Sequence, residues 1–80
     1  MSRPALQPLD DFSGSLSQKV HASLKKAILT LVYRPGELMQ KPEICAQLGV
    51  SRSPVSEAMT RLAGEGLGEI IPQAGTYVTR

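Results

Sequence analysis

Residues 49–60 read G-V-S-R-S-P-V-S-E-A-M-T, and this stretch decides the fold. Gly49 follows the run K-P-E-I-C-A-Q-L at 41–48, where Ile44, Cys45 and Leu48 share one side of a short helix. A glycine there tolerates positive φ and stops the helix. Val50 follows as an apolar plug. Ser53 is a good helix N-cap and Pro54 a good first helical residue, so the next helix begins at Ser53. Val55, Ala58, Met59 and Leu62 then recur at three- and four-residue steps. Leu48-Gly49-Val50-Ser51 is thus a tight, glycine-containing link between two helices, the pattern of a helix-turn-helix with axes about 90–120° apart.

Outward from this centre the chain organises simply. Pro42 sits in the first turn of the 41–48 helix, where a missing N–H does no harm. Residues 37–40 form a short connection with one extended pair. The clearest helix is 15–32: Ser15 is its N-cap, and Leu16, Val20, Leu24, Ala27, Ile28 and Leu31 form its apolar stripe. Gln18, Lys19, Lys25 and Lys26 face the other way. Pro35 and Gly36 stop this helix near Arg34. Downstream, Gly64 and Gly66 end the third helix. Residues 69–71 and 76–79 are β-prone, with turn material Pro72-Gln73-Ala74-Gly75 between them. A hairpin this small must pack on the helices to persist. Residues 1–14 hold Pro4, Pro8 and Gly14 and only isolated apolar residues (Leu6, Leu9, Phe12), which reads as a flexible N-terminal arm. The expected fold is mainly α with a small β-hairpin: a winged helix-turn-helix of three helices plus a two-stranded wing. The domain spans 15–80, with the helix-turn-helix at 41–60 and the wing at 69–79.

The totals agree. The chain has 80 residues, enough for one small domain with a thin core. Apolar residues make up 41%, as in a folded globule. The formal net charge of +2 is mildly basic, which permits a nucleic-acid partner without requiring one. One cysteine, Cys45, excludes an internal disulfide and fits a reducing, cytoplasmic location. No apolar run is long enough to span a bilayer, and residues 1–7 lack the features of a secretory signal, so no membrane partner is expected. One histidine, one cysteine and no tryptophan leave no visible triad or metal cage. No catalytic residue, metal or cofactor is expected, and the chain does not read as an enzyme.

The face of the third helix opposite its apolar stripe carries Ser53, Ser56, Glu57 and Thr60, with Arg52 at the entrance. A helix entering the DNA major groove needs such a face: short side chains that donate and accept hydrogen bonds, and a guanidinium. Arg52 can reach a guanine edge bidentately or a phosphate. The helix N-terminus itself favours phosphate, and the hairpin tip, Gln73-Ala74-Gly75, can reach the neighbouring minor groove or backbone. Competing structural roles stand beside these: Ser53 as an N-cap, Gly75 as a turn residue, Glu57 as the i,i+4 partner of Arg61. A protein-docking module is the rival reading of the same fold.

V-S-R-S-P-V-S-E-A-M-T-R-L-A-G-E-G-L (50–67), I-I-P-Q-A-G-T-Y-V (70–78) and R-P-G-E-L (34–38) together closely resemble the GntR family of bacterial transcription regulators. The resemblance covers roughly residues 16–78. It implies double-stranded operator DNA as the partner, a repressor's role, and DNA contact from Ser51, Arg52 and Ser53, with Gly75 as the wing-tip glycine. Three positions depart from the pattern. Ser56 stands where many members have a second arginine, Ala74 where many have a basic residue, and Pro42 where some have an arginine, with Lys41 beside it as a substitute. The expected DNA-contacting set is therefore Lys41, Ser51, Arg52, Ser53, Ser56, Thr60, Gln73 and Gly75. Family members usually carry a C-terminal effector-binding and dimerising domain, so a homodimer is expected only where such a domain is present.

Overall fold

The computed structural model describes residue 6, residues 8–72 and residues 74–79. Among these, the order is a 3-10 turn at Leu9–Asp11, α1 (Leu16–Leu29), β1 (Leu38–Met39), α2 (Lys41–Leu48), α3 (Arg52–Gly64), β2 (Gly68–Ile71) and β3 (Gly75–Val78). This is the expected winged helix-turn-helix with one added strand.

Ser15 starts α1 through a reciprocal cap: its hydroxyl accepts from the Gln18 N–H (3.3 Å) while the Gln18 side chain accepts from the Ser15 N–H (2.7 Å). Val20, Leu24, Ala27 and Ile28 are buried as the periodicity requires. The helix ends at Leu29, earlier than its pattern suggests. The Thr30 hydroxyl donates back to the Lys26 carbonyl (2.7 Å), and Leu31 adopts φ 64°. Leu31 thus leaves the helical stripe and is exposed, and Leu16, in the first turn, is also exposed rather than core. Tyr33 takes the place expected of Leu31: it is buried, and its N–H donates to the Ala27 carbonyl (3.1 Å).

The connection at 37–40 becomes a true strand. β1 pairs with β3 in the register Leu38↔Tyr77 and Met39↔Thr76. The turn at Pro35 and Gly36 extends the ladder, with Gly36 N–H to the Val78 carbonyl and Val78 N–H to the Glu37 carbonyl, both 2.8 Å. The sheet order is β1-β3-β2, so the two-stranded wing expected from the sequence is the outer part of a three-stranded antiparallel sheet. Thr76, Val78 and Gly68 are buried beneath it.

α1 and α3 form the centre of the core, with Leu24, Ile44, Val55, Met59 and Leu62 fully buried. At the far end of α3, Gly66 N–H bonds the Ala63 carbonyl and Leu67 N–H the Leu62 carbonyl, a Schellman closure that turns the chain into β2. The Glu65 carboxylate there meets the buried His21 at 2.6 Å and lies 4.0 Å from Lys25. The hydrogen bond with His21 holds the Glu65 carboxyl below its ordinary range; desolvation opposes this, and attraction to His21, Lys25 and Arg61 adds to it.

The arm expected at 1–14 lies partly outside the described residues. Within them, Leu6 is buried in the core and Leu9 packs against it, so apolar residues that look isolated in sequence are tertiary anchors.

Candidate nucleic-acid interface

The geometry of the interface begins at Gly49. It closes α2 at φ 67°, ψ 38°, and both its own N–H and that of Val50 bond the Cys45 carbonyl. An L-residue with a side chain pays a steric penalty in this left-handed region, which is why glycine stands here. Val50 then packs against the core as the expected plug.

The third helix starts earlier than Ser53. Ser51, in extended backbone (φ −76°, ψ 175°), is the N-cap of α3, and Arg52 is its first residue. Ser53 and Pro54 fall at the second and third positions. Proline is tolerated there because the first N–H groups of a helix have no intrahelical partner. The Ser51 hydroxyl makes no capping hydrogen bond.

Arg52, Ser53, Glu57 and Thr60 are exposed along α3 and Ser56 is half-buried, while Val55, Ala58, Met59 and Leu62 are buried opposite them. The helix therefore presents the expected polar face. The Thr60 hydroxyl donates to the Ser56 carbonyl (3.0 Å), which leaves its oxygen as an acceptor for any outside group.

Lys41 is the first residue of α2, and Arg52 the first of α3. Both line a groove of about 580 Å³ whose other walls are Gln40, Pro42, β1 and the wing residues Ala74, Gly75 and Thr76. The fold thus brings three of the expected residues, Lys41, Arg52 and Gly75, around one concavity. Ser53, Ser56 and Thr60 lie along the exposed side of α3 rather than in that groove. Gln73 lies outside the described residues. Gln40, the exposed N-cap of α2, lines the same groove without being among the residues expected from the sequence.

Gly75 has a further constraint. Its φ is 121°, and an added Cβ would stand 2.9 Å from Cδ1 of Leu38 on β1. Glycine lets the wing fold close over β1. Gly75→Val is expected to destabilise the domain by about 1–3 kcal/mol through backbone strain and displaced Leu38. Thermal unfolding checks this; an unchanged midpoint would show that the wing adapts freely.

A family model described as bacterial regulatory proteins, gntR family, matches residues 16–78. This chain belongs to that family. Its 16–78 region has the winged helix-turn-helix fold described above. The Escherichia coli HTH-type transcriptional repressor RspR is 35% identical over 65 residues, covering 81% of this chain and 28% of the repressor. A putative GntR transcriptional regulator from Rhodococcus sp. RHA1 superposes with a TM-score of 0.81 at 34% identity, covering 84% of this chain and 32% of that one. The AraR DNA-binding domain in complex with operator ORX1 shares the fold, with a TM-score of 0.78 at 24% identity over 95% of this chain and 99% of that domain. The chain spans 26% and 48% of the length of two of the curated relatives it matches.

Proposed function

We propose that this GntR-family domain reads duplex DNA at specific sequences, with α3 in the major groove and the wing on the adjacent backbone or minor groove, and that it serves a cytoplasmic repressor. The observation that carries this is the placement of Arg52. It is exposed on the first residue of α3, where the helix dipole disfavours a cation by about 0.3–1 kcal/mol. A residue that works against local stability at the mouth of a groove is best explained by an external anionic or guanine partner.

In this reading Arg52 contacts a guanine edge or a phosphate. Ser51 and Ser53 donate their hydroxyls to phosphate beside the free N–H groups of the helix end. Lys41 contacts phosphate across the groove. Ser56 and Thr60 face base edges, Thr60 as an acceptor, and the wing tip at Gln73 and Gly75 approaches the backbone. Ser56 in place of an arginine removes one strong contact, so the operator differs from that of arginine-bearing relatives. The repressor role is supported by the likeness to RspR. One domain reads one half-site. Paired with a dimerising domain, two copies would read half-sites about 34–36 Å apart.

A salt titration tests the reading. Binding to a duplex selected from a random library should weaken linearly in log–log form, with a slope of about −0.9 per phosphate neutralised. Tight association with a slope near zero would point to a protein-docking surface and sink the proposal.

A further inference from the structure

The segment upstream of α1 contacts the helix-turn-helix through α2, with Leu6 itself part of the buried core. Leu6 is buried, and its N–H donates to the Gln47 Oε1 at 3.0 Å. Gln47 Nε2 in turn donates to Glu43 Oε1 at 3.3 Å, so the contact continues along α2. Leu9 packs on the core, and the 3-10 turn after it is closed by Asp11 N–H to the Pro8 carbonyl and Phe12 N–H to the Leu9 carbonyl. Residues of this segment, α1 and the Leu48–Val50 turn together line one groove of about 560 Å³.

α2 needs such a hold. It has eight residues, no side-chain N-cap, and Ile44 as its one buried residue. A helix this short has little stability of its own and opens locally unless tertiary contacts fix it. Yet its first residue is Lys41, and its last turn leads into Ser51 and Arg52.

We propose that Leu6, with Gln47, is a positioning latch that holds α2 in place and so fixes Lys41 and the entrance of α3 for binding. The consequence for DNA rests on the proposed DNA-binding function; the hold on α2 does not. Leu6 lies outside the region matched by the family model, which begins at residue 16.

Cys45, half-buried on α2 and the sole cysteine, is a built-in reporter. Its thiol reacts faster with 5,5′-dithiobis(2-nitrobenzoate) when α2 lifts. In the intact chain, Leu6→Ala should raise the labelling rate about tenfold, Gln47→Ala less, and Leu6→Met should restore most of the wild-type rate. Amide-exchange protection of Val20 on α1 and Leu62 on α3 should stay near wild type. Unchanged labelling in Leu6→Ala overturns the latch. So does an equal loss of protection across all three helices, which would make Leu6 an ordinary core residue. In a second arm, Leu6→Ala, at a temperature where it is folded, should bind a mixed-sequence duplex of about two helical turns severalfold more weakly at low salt than wild type. Equal binding by the two would overturn the positioning role. Failure of the wild-type chain itself to bind would instead count against the DNA reading, with the labelling result still deciding the hold on α2.

Discussion

Arg52→Ala should weaken binding to a selected duplex about 10–100-fold while leaving the fold intact. A bidentate arginine–guanine pair discriminates by about 1–3 kcal/mol, and each 1.4 kcal/mol is tenfold. Stability should not fall with affinity. Arg52 is exposed and begins α3, where its charge opposes the helix dipole. Its removal should therefore be neutral or slightly stabilising in thermal unfolding. Lys41→Ala, tested beside it, separates base reading from phosphate contact. A phosphate contact, when lost, weakens all sequences alike and lowers the salt slope by about one. A base contact, when lost, also relaxes sequence preference at one position. If Arg52→Ala binds its selected duplex as tightly as wild type, the groove between α2, α3 and the wing is not the reading head.

Which parts of this arrangement the sequence disclosed follows from how local each signal is. Gly49 and α2 were legible because the stop, the proline in the first turn and the apolar positions all lie within ten residues. The start of α3 was misplaced because two serines, Ser51 and Ser53, offer equivalent caps, and Pro54 is tolerated throughout the first turn. The end of α1 was overrun because the apolar pattern continues to Leu31, while the termination comes from Thr30 and a left-handed Leu31. β1 was barely visible, since two residues carry no period and its partner β3 is distant in sequence. Leu6 and Leu9 had no periodic neighbours, so only the tertiary fold reveals their role. The candidate contacts followed the same division. Arg52, Ser53, Ser56 and Thr60 could be placed on one helix face from spacing alone. That Lys41 and Gly75 share a groove with Arg52 depends on strand pairing and could not be.

The largest effect on stability should come from Ile44→Ala. Ile44 is fully buried and is the one buried residue of α2 in the core cluster that also holds Val55 and Met59, with Cys45 and Leu48 packed against it in part. Truncating a buried isoleucine to alanine costs about 2–5 kcal/mol, from lost transfer energy and the cavity left behind. A chain of 80 residues has a total stability of about 4–12 kcal/mol. The thermal midpoint should thus drop by about 10–30 °C. Ile44→Val removes one methylene-sized group and should cost about 0.5–1.5 kcal/mol. Leu29→Ala, at a position 64% exposed on α1, should change stability by no more than about 0.5 kcal/mol. The contrast matters more than any single value, because it separates anchoring from general apolar content. Collapse of α2 onto α3 cannot refill the cavity easily, since the tight turn at Gly49 fixes the approach of the two helices. A midpoint in Ile44→Ala within a few degrees of wild type would mean that α2 is held chiefly by its flanks, Leu48, Val50 and the Leu6–Gln47 contact, rather than by the core.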